Sequence, residues 1–248
     1  MKISDLKNLI LRHKTKIPLL VYWIIILVLT HIPIPKVVRQ AHVSDKSLHL
    51  MAYMLLAFFL WLAITPNKKL SFKKPALWLI LLISCVYGFL DEWLQLYVGR
   101  NANFDDFLAD LLGALIAVTI LSIMRAKPAF LAIVAIVIFM LKNLARTNLS
   151  QLMPEVNLIF HFAAFAFFTT LWIMYVENLL RKPTAPAIKF LTSLLPPAIF
   201  VFAVALSAKY FHRHINTTEI LISLAGVLAA SLALTLFKHF TKPKLITS

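Results

Sequence analysis

Polar side chains that could do chemistry are concentrated in one stretch of an otherwise apolar chain. Five of the ten acidic residues lie within twenty positions: Asp91, Glu92, Asp105, Asp106 and Asp110. The segments on both sides are long and apolar, as membrane helices are. A carboxylate near the middle of a membrane helix disfavours insertion by about 2.5–3.5 kcal/mol, and by less near the interface. We therefore expect these side chains to have polar partners, water or a chemical role.

The spacing of the polar residues places them on three helix faces. Residues four apart share one face of an α-helix, so the residues at positions 45, 49 and 53 form one polar stripe. A second stripe, with Asp91 and Gln95, lies at the end of the apolar segment before the turn at residues 99–103. A third stripe, with Asp106 and Asp110, lies at the start of the segment after that turn. The candidate ligand-binding residues are Asp45, His49, Tyr53, Asp91, Glu92, Gln95, Arg100, Asp106 and Asp110.

The turn between the second and third stripes carries Arg100. A guanidinium group binds carboxylate and phosphate in a two-pronged geometry. We expect Arg100 to pair with a carboxylate of the cluster or with an anionic ligand. Gly113, on the third stripe, can allow two helices to approach closely.

Several chemical interpretations of the polar stripes stay open. If the stripes form a purely structural network, each polar contact between membrane helices contributes about 1 kcal/mol. Such a network should balance its charges, but the acids here outnumber the basic residues Lys46, His49 and Arg100. Oxygen ligands with one histidine suit Mg²⁺, Mn²⁺ or Ca²⁺. The chain has no compact ligand motif such as H-E-x-x-H, so we assign no metal ligand and name no cofactor. Paired carboxylates can also do acid–base work, so the sequence does not decide whether the protein is an enzyme.

The composition indicates an all-α, polytopic integral membrane protein. Of 248 residues, 61% are hydrophobic and 14% are charged, whereas soluble domains have about 25% charged residues. A membrane helix needs about 20 apolar residues. By this rule we predict eight transmembrane helices, at residues 17–33, 47–65, 76–98, 104–124, 128–147, 157–178, 189–211 and 218–237.

The net charge of +15 does not indicate nucleic-acid binding. The basic residues stand at the ends of the apolar segments instead of forming a compact basic surface. If successive spans cross the membrane in alternating directions, most of the 25 Lys and Arg residues lie on the same side as the N-terminus. Because positive residues favour the cytoplasmic side, we predict that both termini are cytoplasmic and that the acid-rich turn faces outward.

The chain contains an apparent internal repeat. At one constant offset, Tyr97, Arg100, Asn103, Asp106 and Gly113 match Tyr210, Arg213, Asn216, Glu219 and Gly226. His49 matches His161 at an offset that is one residue shorter. We therefore predict two parallel four-helix units, at residues 1–126 and 127–248. The second unit has Val204, Ala205 and Ala208 in place of Asp91, Glu92 and Gln95, so we expect polar binding in the first.

These motifs together resemble the VanZ-like family of small bacterial integral membrane proteins. The resemblance is carried by Asp45-Lys46-x-x-His49-x-x-x-Tyr53, Asp91-Glu92-x-x-Gln95, Gly99-Arg100, Asp106 and Gly113-Ala114. It is strongest over residues 20–124, and the second half resembles a degenerate copy. The family commonly has Asn where this chain has Asp110.

The resemblance implies a protein of the bacterial cytoplasmic membrane. The founding member of the family is associated with low-level resistance to the glycopeptide teicoplanin, and the resemblance implies no particular reaction. Our leading hypothesis is an outward-facing polar pocket that binds an envelope component. The expected partners are membrane lipids and a lipid-linked cell-wall precursor or glycopeptide. The alternatives are a membrane-embedded enzyme acting on lipid-linked head groups, and a transporter or flippase.

Overall fold

The computed structural model describes residues 14–31, 45–66, 68–98, 102–143, 153–179, 186–211 and 216–241. Every regular element among these residues is helical, as the sequence predicts. The α-helices are α1 (Ile17–His31), α2 (Asp45–Ile64), α3 (Pro75–Gln95), α4 (Phe104–Ile123), α5 (Ala126–Asn143), α6 (Pro154–Leu179), α7 (Pro186–Ser207) and α8 (Thr217–Thr241). Short 3-10 turns extend α3 through Leu96–Val98 and α7 through Ala208–Phe211.

Seven of the described helices, α2 to α8, are long and apolar enough to cross a membrane. The first helix, α1, has 15 residues and would be about 22 Å long, which is shorter than the hydrocarbon core of about 30 Å. Most of its apolar side chains are nevertheless exposed, Leu29 by 67%, as they would be against lipid, while Ile26 is buried in the core. The chain is therefore built as a multi-pass membrane protein. Seven of the eight predicted spans correspond to these seven helices, and residues 144–147 of the predicted span 128–147 lie outside the described residues.

Local sequence explains where several helices begin. Pro75 stands at the first position of α3, where its missing N–H has no partner to lose. Asn103 caps α4 by accepting a hydrogen bond from the Asp105 backbone N–H at 3.0 Å. Pro196 and Pro197 lie inside α7, where proline removes backbone hydrogen bonds and favours a kink.

The chain divides into two compact units, residues 1–141 and 142–248. The boundary between the two units falls near the C-terminal end of α5, so most of α5 belongs to the first unit and its last two residues belong to the second. The predicted assignment of residues 1–126 and 127–248 to two repeats stays a prediction.

The N-terminal unit is centred on α2. Tyr53, Met54 and Trp61 of this helix are almost fully buried, and α2 packs along α4. At the contact, a Cβ atom on Gly113 would lie 2.2 Å from the Leu50 carbonyl oxygen. Only glycine permits this separation, so Gly113 sets the distance at which polar residues of α2 and α4 face each other.

The C-terminal unit has a corresponding close contact between α6 and α8. A Cβ atom on Gly226 would lie 2.4 Å from the Phe162 carbonyl oxygen. Lys142 and Asn143, at the end of α5, belong to this unit. Asn143 donates a hydrogen bond to the Ser207 hydroxyl at 3.0 Å, which joins the ends of α5 and α7.

Candidate functional site

A buried polar cluster lies where the end of α1, the start of α2, the end of α3 and the start of α4 meet. The structure brings together most of the predicted site residues. Those with at most 6% of their surface exposed are His49, Tyr53, Asp91, Glu92, Gln95, Asp106 and Asp110. We call these seven residues the polar cluster. Such burial of several carboxylates is rare outside paired or functional sites.

His49 of α2 is held by Asp110 of α4. The two side chains are joined by a hydrogen bond of 2.9 Å between Nδ1 and Oδ1. Gly88 of α3 makes room for the pair, because a Cβ atom there would lie 3.1 Å from Asp110 Oδ2. A carboxylate on one ring nitrogen fixes the orientation of the imidazole and directs the other nitrogen elsewhere. Asp110 is thus a partner of His49, although the family commonly has Asn at this position.

Asp91 of α3 is bound from two directions. Thr30 Oγ1 of α1 donates to Asp91 Oδ1 at 2.8 Å, and Gln95 Nε2 donates to Asp91 Oδ2 at 3.3 Å. His31 Nδ1 is 3.7 Å from Oδ1. The sequence did not identify Thr30 or His31 as site residues. The sequence could have identified them by their position, because they end the first apolar segment on the same predicted side of the membrane as the polar stripes.

Glu92 connects α3 to the start of α4. Its Oε2 accepts a hydrogen bond from the Asn103 backbone N–H at 2.9 Å. Its Oε1 lies 3.8 Å from His49 Nδ1 and has no hydrogen bond within the described part of the chain. One oxygen of a buried carboxylate is therefore used by the fold, while the other points into the cluster.

His49, Glu92 and Asp106 form a group that could hold a metal ion. Each offers one ligand atom, and these atoms all lie within 4.8 Å of one another. All three residues are buried. The sequence assigned no metal ligands because the three residues come from three helices and form no compact motif.

Tyr53 Oη and Asp110 Oδ2 of the cluster are also buried without a hydrogen bond among the described residues. The Tyr53 ring packs against Tyr87, with a centroid distance of 5.9 Å. Most buried polar groups in proteins are satisfied, and an unsatisfied one costs about 1–3 kcal/mol. Their accumulation here points to a site that receives water, an ion or a ligand.

Two predicted site residues are not placed by the structure. Arg100 and the side chain of Asp45 lie outside the described residues, so their roles stay predictions. Lys46 forms an ion pair with Asp105. Both of these side chains are more than half exposed, so this pair lies at the rim and not within the polar cluster.

The C-terminal unit holds its own smaller polar group. Lys142 donates a hydrogen bond to Glu219, and its Nζ lies 3.4 Å from His161 Nε2. His161 Nδ1 is 3.1 Å from Ser223 Oγ, and Asn157 donates to Glu219 Oε1 at 2.8 Å. A small cavity beside this group is lined in part by Val204, Ala205 and Ala208.

Comparison with known protein families decides what the N-terminal part of the chain is. The family model described as VanZ/LLP1 matches residues 7–125. Residues 7–125 are a VanZ-like domain. The resemblance drawn from the polar stripes is confirmed for this domain, which contains the whole polar cluster. The match does not extend to the C-terminal unit, and no curated protein and no solved structure matches the chain.

Proposed function

We propose that the VanZ-like domain binds the polar head group of an envelope component, such as a lipid-linked cell-wall precursor, at the polar cluster. The observation that carries the proposal is a set of buried carboxylates inside membrane helices with polar atoms left unsatisfied, above all Glu92 Oε1. A purely structural network would leave few such atoms. Arg100, which lies outside the described residues and between α3 and α4 in the sequence, would supply the cationic contact for a phosphate group.

The proposed location is the outer face of the bacterial cytoplasmic membrane. Lys68, Lys69, Lys73 and Lys74 connect the ends of α2 and α3 that are remote from the polar cluster. The positive-inside tendency places this loop in the cytoplasm. The polar cluster then faces outward, where a glycopeptide such as teicoplanin and its lipid-linked target are found, and both termini are cytoplasmic.

We further propose that the C-terminal unit is a degenerate VanZ-like repeat. The contact of Gly226 with Phe162 parallels that of Gly113 with Leu50. The pairing of His161 with Ser223 parallels that of His49 with Asp110. The Phe165 and Phe200 rings lie 5.7 Å apart, where Tyr53 and Tyr87 are 5.9 Å apart. These parallels lie at the two offsets of the sequence repeat, 112 and 113 residues, and support two copies of one four-helix plan.

The head-group proposal is tested by neutralising the cluster in the full chain. The variant Asp91→Asn/Glu92→Gln/Asp106→Asn keeps side-chain size and removes charge. We expect native mass spectrometry of the protein extracted from membranes to show lipid adducts for the wild type and their loss from the variant. Asp105→Asn, which alters the exposed neighbouring carboxylate, is the matched control. Retention of the same adducts by a well-expressed triple variant would overturn the proposal.

A resistance phenotype is tested separately in cells. If the domain confers tolerance to teicoplanin, expression of the wild-type chain should raise the inhibitory concentration and the triple variant should not. An equal rise with the wild type and the triple variant would show that the polar cluster is not involved.

A second candidate function is catalysis on lipid-linked head groups. The observation that favours it is the hydrogen bond of His49 with Asp110, because a carboxylate that orients an imidazole prepares it for general acid–base work. Turnover of a lipid-linked pyrophosphate by the purified protein, lost in His49→Gln and kept in Asp105→Asn, would support it. We do not propose transport, because the polar cluster gathers at one end of the helices.

A further inference from the structure

We propose that His49, Glu92 and Asp106 of the VanZ-like domain bind a divalent cation of the Mg²⁺ and Mn²⁺ class. The site lies within the polar cluster, but the inference rests on the arrangement of these side chains and not on the head-group proposal. A cation held there would also give an anionic head group a charge to bind.

The three ligand atoms are close enough to share one ion. Three ligands evenly arranged at about 2.0–2.2 Å from one ion lie about 3–4 Å from one another. The atoms offered by His49, Glu92 and Asp106 all lie within 4.8 Å of one another, so movements of at most about 1 Å bring them onto one centre. They come from α2, α3 and α4, and side-chain rotation alone can make this shift.

The surroundings of the ligands are those of a metal site. Glu92 is 6% exposed, and its Oε1 has no hydrogen bond among the described residues while it points toward His49. Asp110 holds His49 through Nδ1, as an outer carboxylate does for a metal-bound histidine. Two carboxylate ligands and a neutral imidazole balance a divalent charge, whereas without a cation two buried carboxylates this close repel each other.

The C-terminal unit supplies an independent sign that this position accepts a cation. There the Lys142 ammonium contacts both Glu219 and His161 Nε2. Under the proposed repeat, these two residues correspond to Asp106 and His49. If the 112-residue offset between His49 and His161 also holds for the preceding helix, Thr30 is at the position of Lys142. At the 113-residue offset of Asp106 and Glu219, Ala205 is at the position of Glu92. In the C-terminal unit the Lys142 ammonium thus lies beside one carboxylate, whereas the N-terminal unit has the two carboxylates of Glu92 and Asp106, and its nearby Lys46 is paired with Asp105.

The ligand types indicate which cation to use as a probe. Carboxylate oxygens suit Mg²⁺, Ca²⁺ and Mn²⁺, and imidazole favours transition metals. Mn²⁺ satisfies both preferences and gives an electron paramagnetic resonance signal when free. We therefore choose Mn²⁺ as the probe, with Mg²⁺ as competitor.

The experiment measures Mn²⁺ binding to the full chain, purified in detergent, stripped with chelator and free of added lipid. We expect one Mn²⁺ per chain, and an affinity at least about tenfold lower in Glu92→Gln and in Asp106→Asn. Asp105→Asn is the control and should bind as the wild type does. Binding near one ion per chain with this pattern supports the site. Absence of stoichiometric binding by the folded wild type, or an equal loss in Asp105→Asn, overturns it.

The Thr30→Lys variant tests the same site by another route. It introduces an ammonium group at the position that Lys142 occupies in the C-terminal unit. We expect this variant to fold, to show no Mn²⁺-dependent rise in melting temperature, and to bind Mn²⁺ at least about tenfold more weakly. Wild-type affinity for Mn²⁺ in Thr30→Lys would contradict the proposed position of the cation. Because no lipid is present, a negative result here leaves the head-group proposal to its own test.

Discussion

At the scale of single residues, the polar cluster shows which contacts spacing can predict. His49, Tyr53, Asp91, Gln95, Asp106 and Asp110 were predicted because helical spacing put them on shared faces, and all are buried together. The bond from Thr30 to Asp91 joins residues 61 positions apart. No local pattern reports such a contact, since it depends on how α1 packs against α3.

The pairing of His49 with Asp110 gives a first prediction. In Asp110→Asn the amide oxygen can still accept a hydrogen bond from His49 Nδ1, so we expect little change in stability. In Asp110→Ala the buried imidazole loses this partner, which should lower the free energy of unfolding by about 1–3 kcal/mol. Thermal unfolding in detergent measures both. Equal stability of all three proteins would mean that the hydrogen bond does not form.

At the scale of helices, the apolar segments predicted most of the fold. The segments at 76–98 and 189–211 each form an α-helix followed by a 3-10 turn. An apolar segment does not show where the α-helix gives way to the 3-10 turn, because the two differ in their hydrogen bonds and not in their composition. The predicted span at 17–33 is represented by a 15-residue helix. Its remaining residues lie outside the described part of the chain.

The close crossing of α2 and α4 gives a second prediction. Gly113→Ala would place a carbon 2.2 Å from the Leu50 carbonyl oxygen, so the helices must separate. We expect a loss of about 1–3 kcal/mol or more and weaker contact between His49 and Asp110. Leu112→Met, on the exposed side of the same helix, is the control and should be neutral. Thermal unfolding of the two variants compares them, and a neutral effect of Gly113→Ala would contradict the packing.

At the scale of the whole molecule, charge and hydropathy predict the membrane class but not the ligand. The 61% hydrophobic composition and seven long apolar helices agree. The identity of the proposed ligand would depend instead on where a few side chains converge. Periodicity cannot supply that information, because it reports helix faces and not the distances between helices.

The orientation of the chain is a third prediction. The distribution of Lys and Arg places both termini in the cytoplasm. Fluorescent protein fused to the C-terminus should therefore fluoresce in bacteria, and alkaline phosphatase fused there should be inactive. A fusion at Gly99, between α3 and α4 in the sequence, should behave in the opposite way. Active phosphatase at the C-terminus would reverse the proposed orientation.

The central claim is that the polar cluster is kept for binding and not for stability. Thermal unfolding of metal-free Glu92→Gln tests it most directly, because the glutamine oxygen can still accept the hydrogen bond from the Asn103 backbone while the buried negative charge is removed. A binding site built from repelling carboxylates predicts a melting temperature equal to or above that of the metal-free wild type. A structural network predicts a fall of several degrees, since 1 kcal/mol corresponds to about 2–4 °C in a chain of this size. Such a fall would contradict the account.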